Sequence, residues 1–244
     1  MIEELRHKLR MMERPAGIDD NPGVLPLGIP ALDQALGGGL ARGALHEIAA
    51  VSEPHLPSAS GFALALVAQG TAPVIWISED MALAESGAAY GLGLEAFGLA
   101  PERLLTVAVV HRRDVLWAME EALHCRAIGA VIGELRRGDI DAVATRRLSL
   151  AAAAHGAPAL LLRAEPATDE STAATRWIVG AAPSLPRYGP GSARFAVHLV
   201  RNRRGPLGAW TLEWSDTDER FVLAATHSEP VVAPALDRPH RAVA

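Results

Sequence analysis

Five short stretches of this chain are apolar almost from end to end, and helical stretches separate them. They are ALHEIAA (44–50), APVIWIS (72–78), RLLTVAVV (103–110), AIGAVIGEL (127–135) and APALLLR (157–163). A strand with one wet face alternates apolar and polar residues; a strand buried on both faces does not. Helices are expected at about 59–69, 81–90, 114–124 and 141–155. Apolar residues there recur at helical spacing, as in Phe62, Ala63, Leu66 and Val67, and again in Ala144, Leu148, Ala151 and Ala152. This alternation predicts an α/β fold, a mostly parallel sheet flanked by helices on both faces. After about residue 164 the pattern changes. ATRWIVGAAPS, RFAVHLVRNRR and GAWTLEWSD follow one another as strands, with RNRRGPLG as a hairpin turn between the last two. The chain is therefore expected to add antiparallel strands at the C-terminal end of the sheet.

The chain has 244 residues, half of them hydrophobic and 21% charged, which suits one such domain with extra elements. Aromatics are only 5%, so an aliphatic core is expected. A net charge of −5 gives no global draw to nucleic acid. Cys125 is the only cysteine, which excludes an intramolecular disulfide, and a buried small hydrophobe is its expected role. Residues 1–14 read as an amphipathic helix, with Ile2, Leu5, Leu9 and Met12 on one stripe. The stripe needs a surface to pack on, in this domain or in a neighbour. The segment has no signal-peptide core, and no run approaches the roughly 18 apolar residues of a membrane helix, so a cytoplasmic location away from membranes is expected. The organisation that follows is an N-terminal helix and linker (1–22), a core domain (23–227) and a tail (228–244). The tail is rich in Pro, Ala and charge and is expected to be disordered.

The first apolar strand leads into VSEPHLPSASG (51–61), and a helix follows from about Ala59. Strand, loop and helix form the setting in which backbone N–H groups cradle a phosphate. Here the loop carries Ser52, His55, Ser58, Ser60 and Gly61, but it lacks the phosphate-reaching lysine and the second glycine. Lys8 is the only lysine in the chain, and neither strand nor glycine loop precedes it. Pro54 and Pro57 stiffen the loop and remove donors. No tight nucleotide binding, no cofactor and no metal are expected.

PLGIPALDQALGGGLARGALHEIAA (26–50) is similar to the entry into the core of RecA-type recombinases, where a G-x-x-x-L-D-x-x-L-G-G-G-L-x-x-G frame leads into the first core strand. Gly28, Leu32, Asp33, Leu36, Gly37, Gly38, Gly39, Leu40 and Gly43 stand in that frame. VIWISEDMAL resembles the second strand and the acidic residue after it. AIGAVIGEL resembles the Walker B strand, and VHLVRNRRGPLG the strand and basic turn near the end of the core. The likeness covers roughly residues 24–215. Within that superfamily the chain more closely resembles the ImuA family, in LDQALGGGLARGALHEI, in the loop without a phosphate lysine, and in RRLSLAAAAHGAPALLLR.

The resemblance implies a RecA-like core and a DNA-damage-induced (SOS) accessory factor in error-prone translesion synthesis. Its implied partners are RecA, ImuB and a DnaE-type polymerase, with single-stranded DNA reached indirectly. It also implies that Arg201 and Arg203, where RecA-like filaments carry lysines that reach a neighbour's nucleotide, could face a partner subunit. Three other roles stay open: a SulA-like cell-division inhibitor, a degenerate ATPase that retains Glu79, Asp80 and Glu134, and direct DNA binding through the arginines, which the acidic net charge makes secondary.

Each of these residues also has a plainer reading. Glu134 closes its strand where a Mg²⁺-holding acid would sit. It reads equally as a carboxylate exposed at a strand end and paired with Arg136 or Arg137. Glu79 and Asp80 suit the N-cap and first turn of a helix. Lone His46 reads as a satisfied side chain, because no second ligand stands at metal spacing. Arg201 and Arg203 read as a solvated turn. Arg146 and Arg147 read as a solvated helix face, and HRRD (111–114) as a helix start capped by Asp114.

Overall fold

The computed structural model of the protein describes residues 23–184 and 191–224. The expected N-terminal helix with Ile2, Leu5, Leu9 and Met12, and the expected tail, lie outside the described residues. A two-residue strand β1 (Val24–Leu25) pairs antiparallel with β2 (Leu40–Ala41), and helix α1 (Pro30–Ala35) lies between them. The LD-x-x-LGGGL frame builds this entry unit. Leu32, Leu36 and Leu40 are buried, and the Asp33 carboxylate accepts the Leu27 and Gly28 N–H groups at 2.7 and 3.0 Å. Gly39 has φ +140°, and a side chain there would run into the Leu25 carbonyl, so the turn requires glycine.

The main sheet has nine strands. It runs through β3 (Leu45–Ala50), β4 (Val74–Glu79), β5 (Leu104–Val109), β6 (Ala130–Leu135), β7 (Ala159–Arg163), β8 (Thr175–Ala181), β9 (Arg194–Asn202), β10 (Gly208–Ser215) and β11 (Arg220–Leu223). Their order across the sheet is β11-β10-β9-β8-β3-β7-β6-β4-β5. From β8 to β5 every pairing is parallel, and β9, β10 and β11 are joined antiparallel. The expected parallel sheet with antiparallel additions is present. ATRWIVGAAPS, however, is parallel to β3. Residues 164–174 carry the chain back to the starting end without a helix, and Ala174 N–H then meets the Leu45 carbonyl at 2.8 Å. Strand β11 carries no clear alternation and was missed by pattern.

One face is covered by α1, α2 (Leu56–Ala68), α3 (Asp80–Ser86) and α4 (Gly91–Ala96). The other is covered by α5 (Arg112–Leu123) and α6 (Ala142–His155). The expected helix over 81–90 divides into α3 and α4, because Gly87 at φ +78° ends the first. Asp141 caps α6 through its side chain, which accepts Ala144 N–H at 2.6 Å. Asp114, the expected cap of α5, lies inside its first turn; His111 holds the cap position. Cys125 is exposed rather than buried, in the turn after α5.

The α5–α6 face is aliphatic as expected, with Val115, Met119, Leu123 and Leu148 against Ile77, Val131 and Leu161. The other face is not. All four phenylalanines, Phe62, Phe97, Phe195 and Phe221, gather there with Trp177 and Trp214, at centroid separations from 5.2 to 6.3 Å. A low aromatic fraction spread along a sequence does not reveal that the fold collects it in one place. Phe62 on α2 is fully buried at the centre of this cluster. Phe62→Ala should lower unfolding free energy by about 3–5 kcal/mol in urea denaturation.

Candidate functional site

The sheet delivers the candidate residues to the carboxyl ends of β3, β4 and β6, the edge at which open α/β sheets hold ligands. The expected phosphate loop is shorter than its sequence suggested. Only residues 51–55 separate β3 from α2, and Glu53–His55 form a single 3₁₀ turn. Val51 N–H goes to the Val179 carbonyl at 2.9 Å and His55 N–H to the Ser52 carbonyl at 2.8 Å. His55 Nδ1 accepts the Ala181 N–H at 2.9 Å. The expected helix start at Ala59 is corrected to Leu56. Pro57 supplies the preset φ of a first turn. Ser58, Ser60 and Gly61 are therefore inside α2 rather than in a loop. Gly61 serves packing: a Cβ there would sit 2.9 Å from Phe97 Cζ.

Glu134 corrects a second expectation. It is paired with Arg136, as one reading had it, but it is buried rather than exposed. Its Oε1 accepts from Arg136 Nε at 2.8 Å and its Oε2 from Trp76 Nε1 at 3.1 Å. Arg136 also donates to Glu85 at 3.1 Å, to Ser86 Oγ at 2.6 Å and to the Ala82 carbonyl at 3.3 Å. A buried carboxylate demands a positive partner, and here a guanidinium fills that role on the spot. Arg137 reaches instead toward Glu53, at 3.7 Å on the surface. Glu79 occupies the N-cap position of α3 without a side-chain cap bond, and Asp80 accepts the adjacent Met81 N–H at 2.7 Å.

The basic turn splits into two sets of side chains. Asn202 Nδ2 donates to the Ala35 carbonyl at 2.8 Å and Arg204 Nη2 to the Gly37 carbonyl at 3.1 Å, so this face clamps the glycine turn of the entry unit. Arg201 lies opposite Arg176 across the β8–β9 pairing. Burial, then the Arg203 and Arg176 guanidinium charges, push its pKa below the usual arginine value. Arg203 is exposed. The structure brings Glu134 and Glu79 to one edge of the sheet and leaves Arg201 and Arg203 across β8. Arg147 is not merely solvated, since it pairs with Glu120 of α5 at 2.5 Å.

Two polar residues of β3 are buried. His46 Nε2 meets the Ala41 carbonyl at 2.8 Å, so that nitrogen carries the proton. Its Nδ1 then accepts from the Thr175 hydroxyl at 2.8 Å, which itself accepts from Trp177 Nε1 at 2.8 Å. Glu47 pairs with Arg176 at 2.5 Å and accepts the Ser171 hydroxyl. Neither network was legible in the sequence, because their members stand more than a hundred residues apart. No group of three His, Cys, Asp or Glu suited to a metal exists among the described residues. Nor, among them, is any helix long and apolar enough to cross a membrane.

No protein-family model matches the chain. The chain is 28% identical over 210 residues to Protein ImuA of Caulobacter vibrioides, in strains NA1000 and CB 15, covering 78% of this chain and 83% of that protein. Among solved structures it is similar to the RadB recombinase, with a TM-score of 0.56 and 16% identity, over 81% of this chain and 98% of that one. The second likeness supports the RecA-like core, and the first the family resemblance read from the glycine frame.

Two predictions follow from these networks. Arg136→Ala leaves Glu134 buried without its partner and should cost about 3 kcal/mol in urea denaturation, more than Glu134→Gln. Burial holds His46 down to about 4, against 6.5 for the free side chain. The unfolded chain therefore binds the extra proton first, and the stability contribution is present above pH 6.5 and is lost as pH falls toward 4. Between pH 7.5 and 5 the loss is about 2 kcal/mol. Denaturation at the two pH values should show it in the wild type and not in His46→Gln.

Proposed function

We propose, from the premise that the chain belongs to the ImuA family, that it is a non-catalytic adaptor in SOS-induced, error-prone translesion synthesis. It works in the cytoplasm through protein contacts with RecA, ImuB and a DnaE-type polymerase, and reaches single-stranded DNA only through them. One observation carries the non-catalytic part. Where a RecA-type ATPase would hold Mg²⁺, Arg136 neutralises Glu134 and ties it to α3. A Mg²⁺ ion bridges phosphate oxygens to a free carboxylate, and this carboxylate is engaged on both oxygens. The lack of a phosphate-loop lysine and the 3₁₀ turn in place of a cradle support the same reading.

The adaptor part is supported by surface left open for protein contact. Strand β5 ends the sheet with LLTVAV, an edge without a single charge, and Leu105 is 56% exposed on it. Native proteins usually blunt such edges with charge or proline. Arg201 and Arg203 offer a second, cationic surface on the opposite side of the sheet.

The test is a pull-down of purified RecA, ImuB and the DnaE-type polymerase, with and without ATP. The wild type should retain them. Arg201→Ala/Arg203→Ala should lose the ATP-dependent retention of RecA and keep that of ImuB. A folded wild type that retains none of the three contradicts the adaptor reading.

A further inference from the structure

The nine-stranded sheet ends in β11 on one side and in β5 on the other, and the two edges are built differently. Strand β11 has four residues, opens on exposed Arg220 and follows a turn in which Glu219 takes φ +48°. Arg220 also reaches Asp218 at 3.6 Å. Shortness and charge are how proteins keep an edge from pairing with another chain. Strand β5 has neither. It runs six residues, LLTVAV, pairs with β4 in unbroken register from Leu104 to Val109, and carries no charge, proline or bulge.

The outer side of β5 is open. Leu105 is 56% exposed, Thr106 and Ala108 are exposed, and Val110 just beyond the strand is 66% exposed. Val107 and Val109 are only partly buried against the cluster under α5. In a parallel ladder alternate residues bond to the neighbours on either side. Every second residue of β5 therefore turns its N–H and C=O away from β4. Groups in that array are satisfied by another extended strand.

The sequence of β5 is complementary to itself. A two-fold axis at Val107 sets a second β5 antiparallel to the first. Val107 then stands opposite Val107, Leu105 opposite Val109, Thr106 opposite Ala108 and Leu104 opposite Val110. Opposed residues share a face, so each pair is apolar or small and no like charges meet. The ends are compatible as well. Arg103 turns inward to the Gly70 and Ala72 carbonyls, and Glu102 falls in register with Arg112, a residue of opposite sign. The edge offers no charge by which to select a foreign strand, whereas a second copy matches it at every position.

We propose that two copies of the chain pair antiparallel through β5, about a two-fold axis at Val107, into one sheet continuous across both. A contact of this kind uses the same patch on each copy and closes at two. It forms on the order of six backbone hydrogen bonds and takes the Leu105 side chains out of water. The inference goes beyond the adaptor reading and does not rest on it, since the chain alone should dimerise. The Arg201–Arg203 surface stays uncovered.

The experiment is sedimentation of the purified full chain from about 1 to about 100 μM. The wild type should reach twice the monomer mass and stop there. Leu105→Lys/Ala108→Lys changes two exposed edge positions and should stay at the monomer mass, with an unchanged circular dichroism spectrum. A second measurement does not depend on how that variant folds. In a Cys125→Ser background, which removes the only native thiol, Val107→Cys should cross-link to a dimer under mild oxidation. Leu150→Cys, at a position 61% exposed on α6, should not. A wild type that stays monomeric overturns the proposal. So does a dimer that survives the lysines in a folded variant, equal cross-linking at the two cysteine positions, or growth to species larger than a dimer. All of these readouts use the chain alone, so they fail separately from the retention of RecA, ImuB and the polymerase.

Discussion

Strand β3 has water on neither face, and the rest of the molecule is arranged around that constraint. Every residue from Leu45 to Ala50 is buried, between β7 on one side and β8 on the other. Two of the six are polar, and each must be satisfied inside the protein, because an unpaired buried polar group costs far more than a paired one returns. His46 is satisfied by the entry unit on one side and β8 on the other. Glu47 is satisfied by Arg176 and by Ser171 in the connection before β8. The two networks thus fix where β8 lies and where the β1–β2 unit closes, and through β8 they fix the antiparallel strands beyond.

The same rule settles the candidate site. Glu134 is buried at the end of β6, and the charge it needs is supplied by the next residue but one. Arg136 then carries that charge outward to Glu85 and Ser86, so α3 is tied to the sheet through the carboxylate. The Glu134 carboxylate thereby helps hold β6 and α3 together. Strand β5, by contrast, is paired on one side only and forms an edge of the sheet.

Much of the fold was legible in the sequence because burial on two faces writes itself as nearly unbroken apolar runs, as in β6 and β7; β5 carries such a run too, although it is a partly exposed edge. The glycine frame was legible through its resemblance to the RecA-type entry, and the structure supplies its steric basis, since Gly39 admits no side chain beside Leu25. What failed was local geometry decided by distant partners. The loop at 51–61 shrank to five residues because Pro57 can open a helix as well as stiffen a loop. Cys125 is exposed because α5 ends two residues before it, and apolar composition alone did not place that boundary. The exposed-carboxylate reading of Glu134 fails because Trp76, the residue that helps bury it, lies on another strand, while its pairing with Arg136 was legible. The stripe Ile2, Leu5, Leu9 and Met12 lies outside the described residues.

The central proposal is that Arg136, paired with Glu134, takes the place a Mg²⁺ ion would need on that carboxylate. Isothermal titration of the folded protein with ATP, with and without Mg²⁺, tests it most directly. The account predicts no saturable heat at millimolar ATP in either condition. Saturable binding that requires Mg²⁺ and is lost in Glu134→Gln would contradict it, and would mean that Arg136 releases the carboxylate to a metal.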